Sequence, residues 1–154
     1  DARVRQGNSI LRLLHYPPQP TPPPQGSVRA GAHEDINVIT LLLGAEEAGL
    51  QVRHRSGEWL DINPPPGALV INVGDMLDRL TGGILPSTTH RVLNPVPERA
   101  RFPRCSTPFF LHFAPDVRIA PLQSCLAEGG RDREPISAQD FLMERLREIG
   151  LVRG

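Results

Sequence analysis

Proline and glycine cut this chain into short β-type runs, and that punctuation limits the fold more than any other feature of the sequence. The 17 prolines and 14 glycines among 154 residues separate stretches rich in aliphatic and β-branched side chains, which suit a pleated, half-buried surface. Arg55-Ser56-Gly57-Glu58 reads as a hairpin turn between Leu50-Gln51-Val52 and Trp59-Leu60. Asn63-Pro64-Pro65-Pro66-Gly67 breaks the chain again before an apolar strand at 68 to 73. Short strands at regular intervals pair antiparallel and stack, so the expected class is mainly β, an antiparallel double-sheet barrel.

Two segments depart from that rhythm. Asp75-Met76-Leu77-Asp78-Arg79-Leu80 reads as a short helical turn ended by Gly82-Gly83. Ser137 is expected to cap a terminal helix, with Asp140 three residues on and Leu142, Leu146 and Ile149 at helical spacing until Gly150. That helix should pack on the outside of the barrel.

Composition narrows the partners. The 17 acids balance 17 bases, all of them arginine, and no basic patch suggests a nucleic acid or a membrane surface. No apolar stretch is long enough to cross a bilayer, and the amino terminus shows no secretory pattern. Cys105 and Cys125 are too few for a disulfide scaffold, and Cys105 has the opposite parity from Arg104 and Ser106. The expectation is a single cytoplasmic domain over residues 1–154, large enough for a hydrophobic core.

Chemistry concentrates in the tripeptide His33-Glu34-Asp35 and in His90 far downstream. If residues 33 to 42 form a strand, His33 and Asp35 stand at i and i+2 and point the same way. The run Ile36 to Gly44 supports that strand, and His90 lies in another β-type run, Ser87 to Leu93. Two imidazoles and one carboxylate on one side of an iron ion leave coordination positions open for oxygen chemistry. A His-x-Asp pair alone is more often a surface ion pair or a satisfied core histidine than a metal ligand. Arg104 and Ser106 repeat the i, i+2 spacing ahead of Phe109-Phe110-Leu111-His112-Phe113 and should share a face. By itself that arginine is also compatible with an ordinary surface charge.

Five ordered blocks turn these fragments into a pattern. Leu11 to Pro18 with its Tyr16-Pro17, Ala32 to Asp35, Gly67 to Asp75, Leu85 to Val92 and Arg104 to Phe110 together resemble the isopenicillin N synthase-like branch of the iron(II)- and 2-oxoglutarate-dependent dioxygenases, over nearly the whole chain. The resemblance implies a double-stranded β-helix, a jelly-roll or cupin-like core, followed by the terminal helix. It implies that His33, Asp35 and His90 hold Fe(II), leaving two positions for the 2-oxo acid and one for dioxygen. Arg104 would pair with the distal carboxylate of 2-oxoglutarate through its planar fork of donors. Ser106 and Tyr16 would add hydroxyls to that carboxylate, and no catalytic residue is needed beyond the metal ligands. The implied reaction oxidises a small organic substrate while 2-oxoglutarate is decarboxylated to succinate. Leu14 stands where the family often carries asparagine.

The same resemblance makes Pro17 to Pro24 a stiff loop between strands rather than a ligand for a polyproline-binding module. It also places an N-terminal region ahead of the Tyr-Pro strand; Asp1 is not an initiator, so the chain is expected to hold the ligand inventory with an incomplete substrate pocket. His15, His54 and His112 read as structural. Three other readings remain open at this level: an iron oxidase of the same family that does not use 2-oxoglutarate, a non-catalytic jelly-roll binding module, and zinc hydrolysis at the same triad, for which Arg104 and Ser106 have no evident task. The sequence does not name the primary substrate.

Overall fold

The computed structural model describes residues 2–43 and 48–152. Two antiparallel sheets face one another. The first contains β1 (Ile10–Leu11), β2 (Leu14–Tyr16), β4 (Ile39–Leu43), β7 (Leu69–Val73) and β9 (Arg104–Leu111), in the order β1-β9-β4-β7 with β2 also on β9. The second is ordered β3-β8-β5-β6, from β3 (Ala30–His33), β5 (Leu50–Arg53), β6 (Trp59–Asp61) and β8 (His90–Val92). The chain passes between the sheets as it runs from β2 to β3, β4, β5, β7, β8 and β9. This is the expected jelly-roll architecture, and its inward faces meet across a lumen.

One break explains how the first sheet is built. A single strand over residues 11–16 is interrupted at Arg12 and Leu13 although its register on β9 never shifts: Leu11 lies opposite Phe109 and Leu14 opposite Ser106. Arg12 therefore faces Pro108 and donates its N–H to the Pro108 carbonyl at 3.0 Å. Proline has no N–H to return, so the ladder fails there, and Leu13, at the outward parity of Leu11, is 80% exposed.

The expected strand over residues 33 to 42 is not continuous. β3 ends at His33, and β4 begins only at Ile39 in the opposite sheet. Backbone hydrogen bonds redirect the intervening segment: Asp75 N–H donates to Asp35 O at 2.8 Å, Met76 N–H to Asn37 O at 3.1 Å, and Val38 N–H to Leu111 O at 2.8 Å. Gly74 permits this seat, because a Cβ there would lie 2.1 Å from the Asn37 carbonyl oxygen. Gly44, expected to close that run, lies outside the described residues, as does Asp1.

The hairpin of β5 and β6 turns through Gly57 at φ +90°, as its residues require. Asp75–Leu80 forms α1, followed by Gly82 and Gly83 with positive φ. After β9 come β10 (Arg118–Ile119), α2 (Gln123–Ala127), β11 (Ile136–Ser137) and the terminal helix α3 (Ala138–Glu148). Ser137 caps α3: its hydroxyl accepts the Asp140 N–H at 3.0 Å and donates to the Asp140 carboxylate at 2.6 Å.

The buried stripe of α3 differs from the expected Leu142, Leu146 and Ile149. Ile149 follows the helix and is 55% exposed, while Ala138 and Phe141, with Leu142 beside them, pack on Val38, Met76 and Ile119. Ala138, Phe141, Leu142 and Arg145 are the positions that share one helical face, and the arginine uses its place there to reach Asp75 at 3.1 Å. This core lies between α1, α3 and the crossing segment, outside the lumen. Pro17 to Pro24 contains no helix or strand and leads from β2 toward β3, with Gln19 N–H bonded to Ala100 O at 2.7 Å.

Candidate metal centre

His33 stands at the end of β3, His90 directly opposite at the start of β8, and Asp35 two residues into the crossing segment. One nitrogen from each imidazole and one Asp35 oxygen all lie within 4.8 Å of one another. Asp35 meets the histidines not as the i+2 member of one strand but because the chain leaves β3 after His33 and folds inward.

Hydrogen bonds orient every member of the cluster. His33 Nδ1 lies 2.8 Å from Gly31 O, and His90 Nδ1 lies 3.1 Å from Thr88 O. A carbonyl only accepts, so in the neutral ring Nδ1 carries the proton and Nε2 presents its lone pair. Both Nε2 atoms face Asp35 Oδ1 at 3.8 Å. The other oxygen, Oδ2, accepts from Thr40 Oγ1 at 2.6 Å and from Asn72 Nδ2 at 3.0 Å. Asn37 Nδ2 in turn donates to Thr40 Oγ1 at 2.8 Å. One carboxylate oxygen is thereby tied to the first sheet and the other is left for a cation. Two neutral nitrogens and one carboxylate oxygen, with an open side where the His33 side chain is 47% exposed, suit a divalent transition metal.

Residues adjacent to the cluster tie its two halves together. Glu34 lies between His33 and Asp35, Thr89 immediately precedes His90, and the threonine hydroxyl donates to Glu34 Oε1 at 2.7 Å. Glu34 also borders a charged cleft of about 390 Å³ with Asp75, Asp78, Arg79 and Arg145. Burial raises the Asp75 carboxyl above the ordinary aspartate range; Ser87 and Arg145 oppose that shift and Glu34 adds to it. On the other side, a cavity of about 260 Å³ reaches into the lumen, lined by Asp35, Thr40, His90, Leu42, Val52 and Val70.

Arg104 and Ser106 share a face, as their i, i+2 spacing suggests, and β2 sets Tyr16 beside Arg104. Tyr16 pairs with Arg104 and Leu14 with Ser106 across β2 and β9. Arg104 is 3% exposed and Ser106 7%, while Cys105 between them is exposed. The Arg104 guanidinium carbon lies 5.3 Å from the centre of the Tyr16 ring. A guanidinium and a hydroxyl residue buried on one strand face form a cradle suited to a carboxylate.

His15 and His54 are exposed, the latter bonded to Ser56 within the hairpin. His112 is different. It shares the inward parity of Arg104 and Ser106, is 9% exposed, and its Nδ1 has no hydrogen-bond partner. Desolvation pushes its imidazole below the ordinary histidine range, against a weaker opposing pull from Asp35. Motif reasoning alone misses Thr40 and Asn72. A signal for them is present all the same: each is an isolated polar residue within an apolar strand, at the parity of the inward-facing positions.

Among known proteins, the family described as the 2OG-Fe(II) oxygenase superfamily matches residues 7–113. A "2-oxoglutarate-Fe(II) type oxidoreductase" of Aspergillus fumigatus is 39% identical over 129 residues, covering 83% of this chain and 36% of the relative. A solved 2OG-Fe(II) oxygenase family protein from Caulobacter crescentus superposes with a TM-score of 0.86 at 63% identity, covering 96% of this chain and 48% of that one. A full-length Neurospora crassa protein solved in complex with alpha-KG and thymine gives a TM-score of 0.86 at 35% identity, covering 97% of this chain and 46% of that one. The chain thus spans well under half the length of that curated relative and about half of these solved chains.

Proposed function

Because the chain belongs to the 2OG-Fe(II) oxygenase superfamily, we propose that it is an iron(II)- and 2-oxoglutarate-dependent oxygenase acting on a small organic substrate. In this reading His33, Asp35 and His90 hold the iron, while Arg104, Ser106 and Tyr16 hold the distal carboxylate of 2-oxoglutarate. Residues 1–154 act as one catalytic domain. The observation that carries the reading is the division of labour on Asp35: Oδ2 is occupied by Thr40 and Asn72, and Oδ1 faces two histidine nitrogens at 3.8 Å.

Bound there, iron(II) with 2-oxoglutarate supplies the activation of dioxygen that couples decarboxylation of the 2-oxo acid to substrate oxidation. The chain's own residues orient. Carbonyls of Gly31 and Thr88 fix both imidazole tautomers. Thr40 and Asn72 prevent the carboxylate from turning away, and the apolar side chains Leu42, Val52 and Val70 line the lumen beside it. Arg104 fixes the far end of the co-substrate, so the reacting end is held at a defined distance from the ligands.

The similar Neurospora crassa structure was solved with thymine, which supports a small-molecule substrate for this chain. No helix among the described residues is long and apolar enough to cross a membrane. We place the protein in the cytoplasm, a compartment that suits the free thiols of Cys105 and Cys125.

Oxygen uptake with Fe(II), with and without 2-oxoglutarate, tests the reading. Uptake that requires 2-oxoglutarate and yields succinate is expected. Uptake independent of 2-oxoglutarate would assign Arg104 to a substrate carboxylate instead. Absence of uptake together with equal metal binding by wild type, His33→Ala and Asp35→Ala would remove the metal centre itself.

A further inference from the structure

Arg29 lies one residue ahead of β3 and is half-buried. Its Nε and Nη2 atoms are buried and have no hydrogen-bond partner. Its guanidinium carbon lies 5.5 Å from the centre of the Tyr16 ring, the same ring that Arg104 approaches at 5.3 Å. A buried guanidinium with two idle donors is an arrangement that folded proteins ordinarily avoid. Leu14, opposite Ser106, brings no polar group to relieve it.

An anion beside the Arg29 guanidinium removes that penalty. It gives the Nε and Nη2 hydrogens of Arg29 an acceptor, and those two atoms form one edge of the planar fork that a carboxylate fits side-on. We propose that Arg29 is a second carboxylate-binding residue, which closes with Arg104 and Tyr16 on the distal carboxylate of the 2-oxo acid. This rests on the co-substrate reading above and adds a consequence for selectivity. With two cations at the distal end, the site discriminates strongly between 2-oxo dicarboxylates and 2-oxo acids that lack the second carboxylate.

Calorimetric titration of the Mn(II)-loaded protein with 2-oxoglutarate and with 2-oxobutyrate tests this, since 2-oxobutyrate keeps the chelating end and lacks the distal carboxylate. Arg29→Ala and Arg29→Gln are expected to weaken 2-oxoglutarate binding by about tenfold or more, in keeping with the loss of charge-assisted hydrogen bonds. Binding of 2-oxobutyrate should stay within about twofold of wild type, which also serves as the check that the variants fold. Arg29→Lys, which keeps the charge and loses the fork, should fall between them. Equal weakening for both ligands would make Arg29 a structural residue, and no weakening for either would make it a bystander; both overturn the proposal. Wild-type protein that binds the two acids equally would remove the distal clamp altogether, and with it the co-substrate reading beneath the proposal.

Discussion

Thr40→Val isolates the contribution of a single hydroxyl to the metal centre. Valine nearly matches the shape of threonine, so the change removes polarity rather than volume. Two bonds are lost: the 2.6 Å bond donated to Asp35 Oδ2 and the 2.8 Å bond accepted from Asn37 Nδ2. Thr40 is 5% exposed, so water has little access to replace them. A hydrogen bond to a charged acceptor contributes about 1.5–3 kcal/mol and a neutral one about 1 kcal/mol. Asn72 still donates to Asp35, and Asn37 Nδ2 keeps Ile39 O at 3.2 Å, so a net loss of about 2–3 kcal/mol is expected. For a chain of this length that lowers the melting temperature by about 5–10 °C.

The loss at the metal is separate from the loss of stability. With one donor left, the Asp35 carboxylate can rotate and Oδ1 is no longer held toward the histidines, so Mn(II) affinity should fall about tenfold to a hundredfold. Thr40→Ser restores the hydroxyl and should recover most of both quantities. Calorimetric titration with Mn(II) and thermal unfolding of the metal-free protein measure them independently. Wild-type metal affinity in Thr40→Val, or a serine variant as impaired as the valine one, would refute the claim that Thr40 orients the ligand.

Gly74→Ala should destabilise the fold by about 1–3 kcal/mol, because the new methyl would meet the Asn37 carbonyl at 2.1 Å. The displaced crossing segment carries Asp35, so thermal unfolding and Mn(II) affinity should fall together. The His112 imidazole, pushed below its ordinary 6.5 by burial, takes up a proton more readily in the unfolded chain. Its contribution is therefore complete above about pH 6.5 and is lost as pH falls through the lower folded value. Urea unfolding of metal-free protein between pH 7.5 and 5.5 should show stability falling with pH, and falling less steeply in His112→Gln. Parallel slopes would exclude His112 as a source of that dependence.

The legible parts of the chain are those governed by local physics. Turn residues at Arg55 to Glu58, the cap at Ser137 and the alternation of Arg104, Cys105 and Ser106 each depend on neighbours close in sequence, and each stands as its pattern suggests. The departures have tertiary causes. Residues 34–38 lead into a run with the β-branched content of a strand, but the Asp35 and Asn37 carbonyls accept from Asp75 and Met76 of α1 instead of from a strand ladder. Ile149 fits the periodicity of α3, yet the helix ends before it and no core lies beneath. Arg29 carries no sequence signal at all, since nothing local distinguishes a buried arginine from an exposed one.

The broken strand and the orientation of Asp35 are two sides of one arrangement. Had residues 33–42 continued as one strand, Asp35 would have remained in the sheet that carries His33 and His90, with its backbone committed to that sheet. By crossing over, the chain satisfies the Asp35 carbonyl through the N–H of Asp75 and delivers the carboxylate to Thr40 and Asn72, which belong to β4 and β7 of the other sheet. The cluster therefore draws its imidazoles from one sheet and the anchors of its carboxylate from the other. Arg104, Ser106 and Tyr16 stand on that first sheet as well. A metal held by this cluster connects the two layers of the jelly roll, and the distance between the metal ligands and the carboxylate cradle is set by how the sheets pack. On the reading proposed above, residues far from either site, such as Gly74 and the α3 face that seals Met76 and Ile119, would influence the geometry in which the two ends of a co-substrate are held.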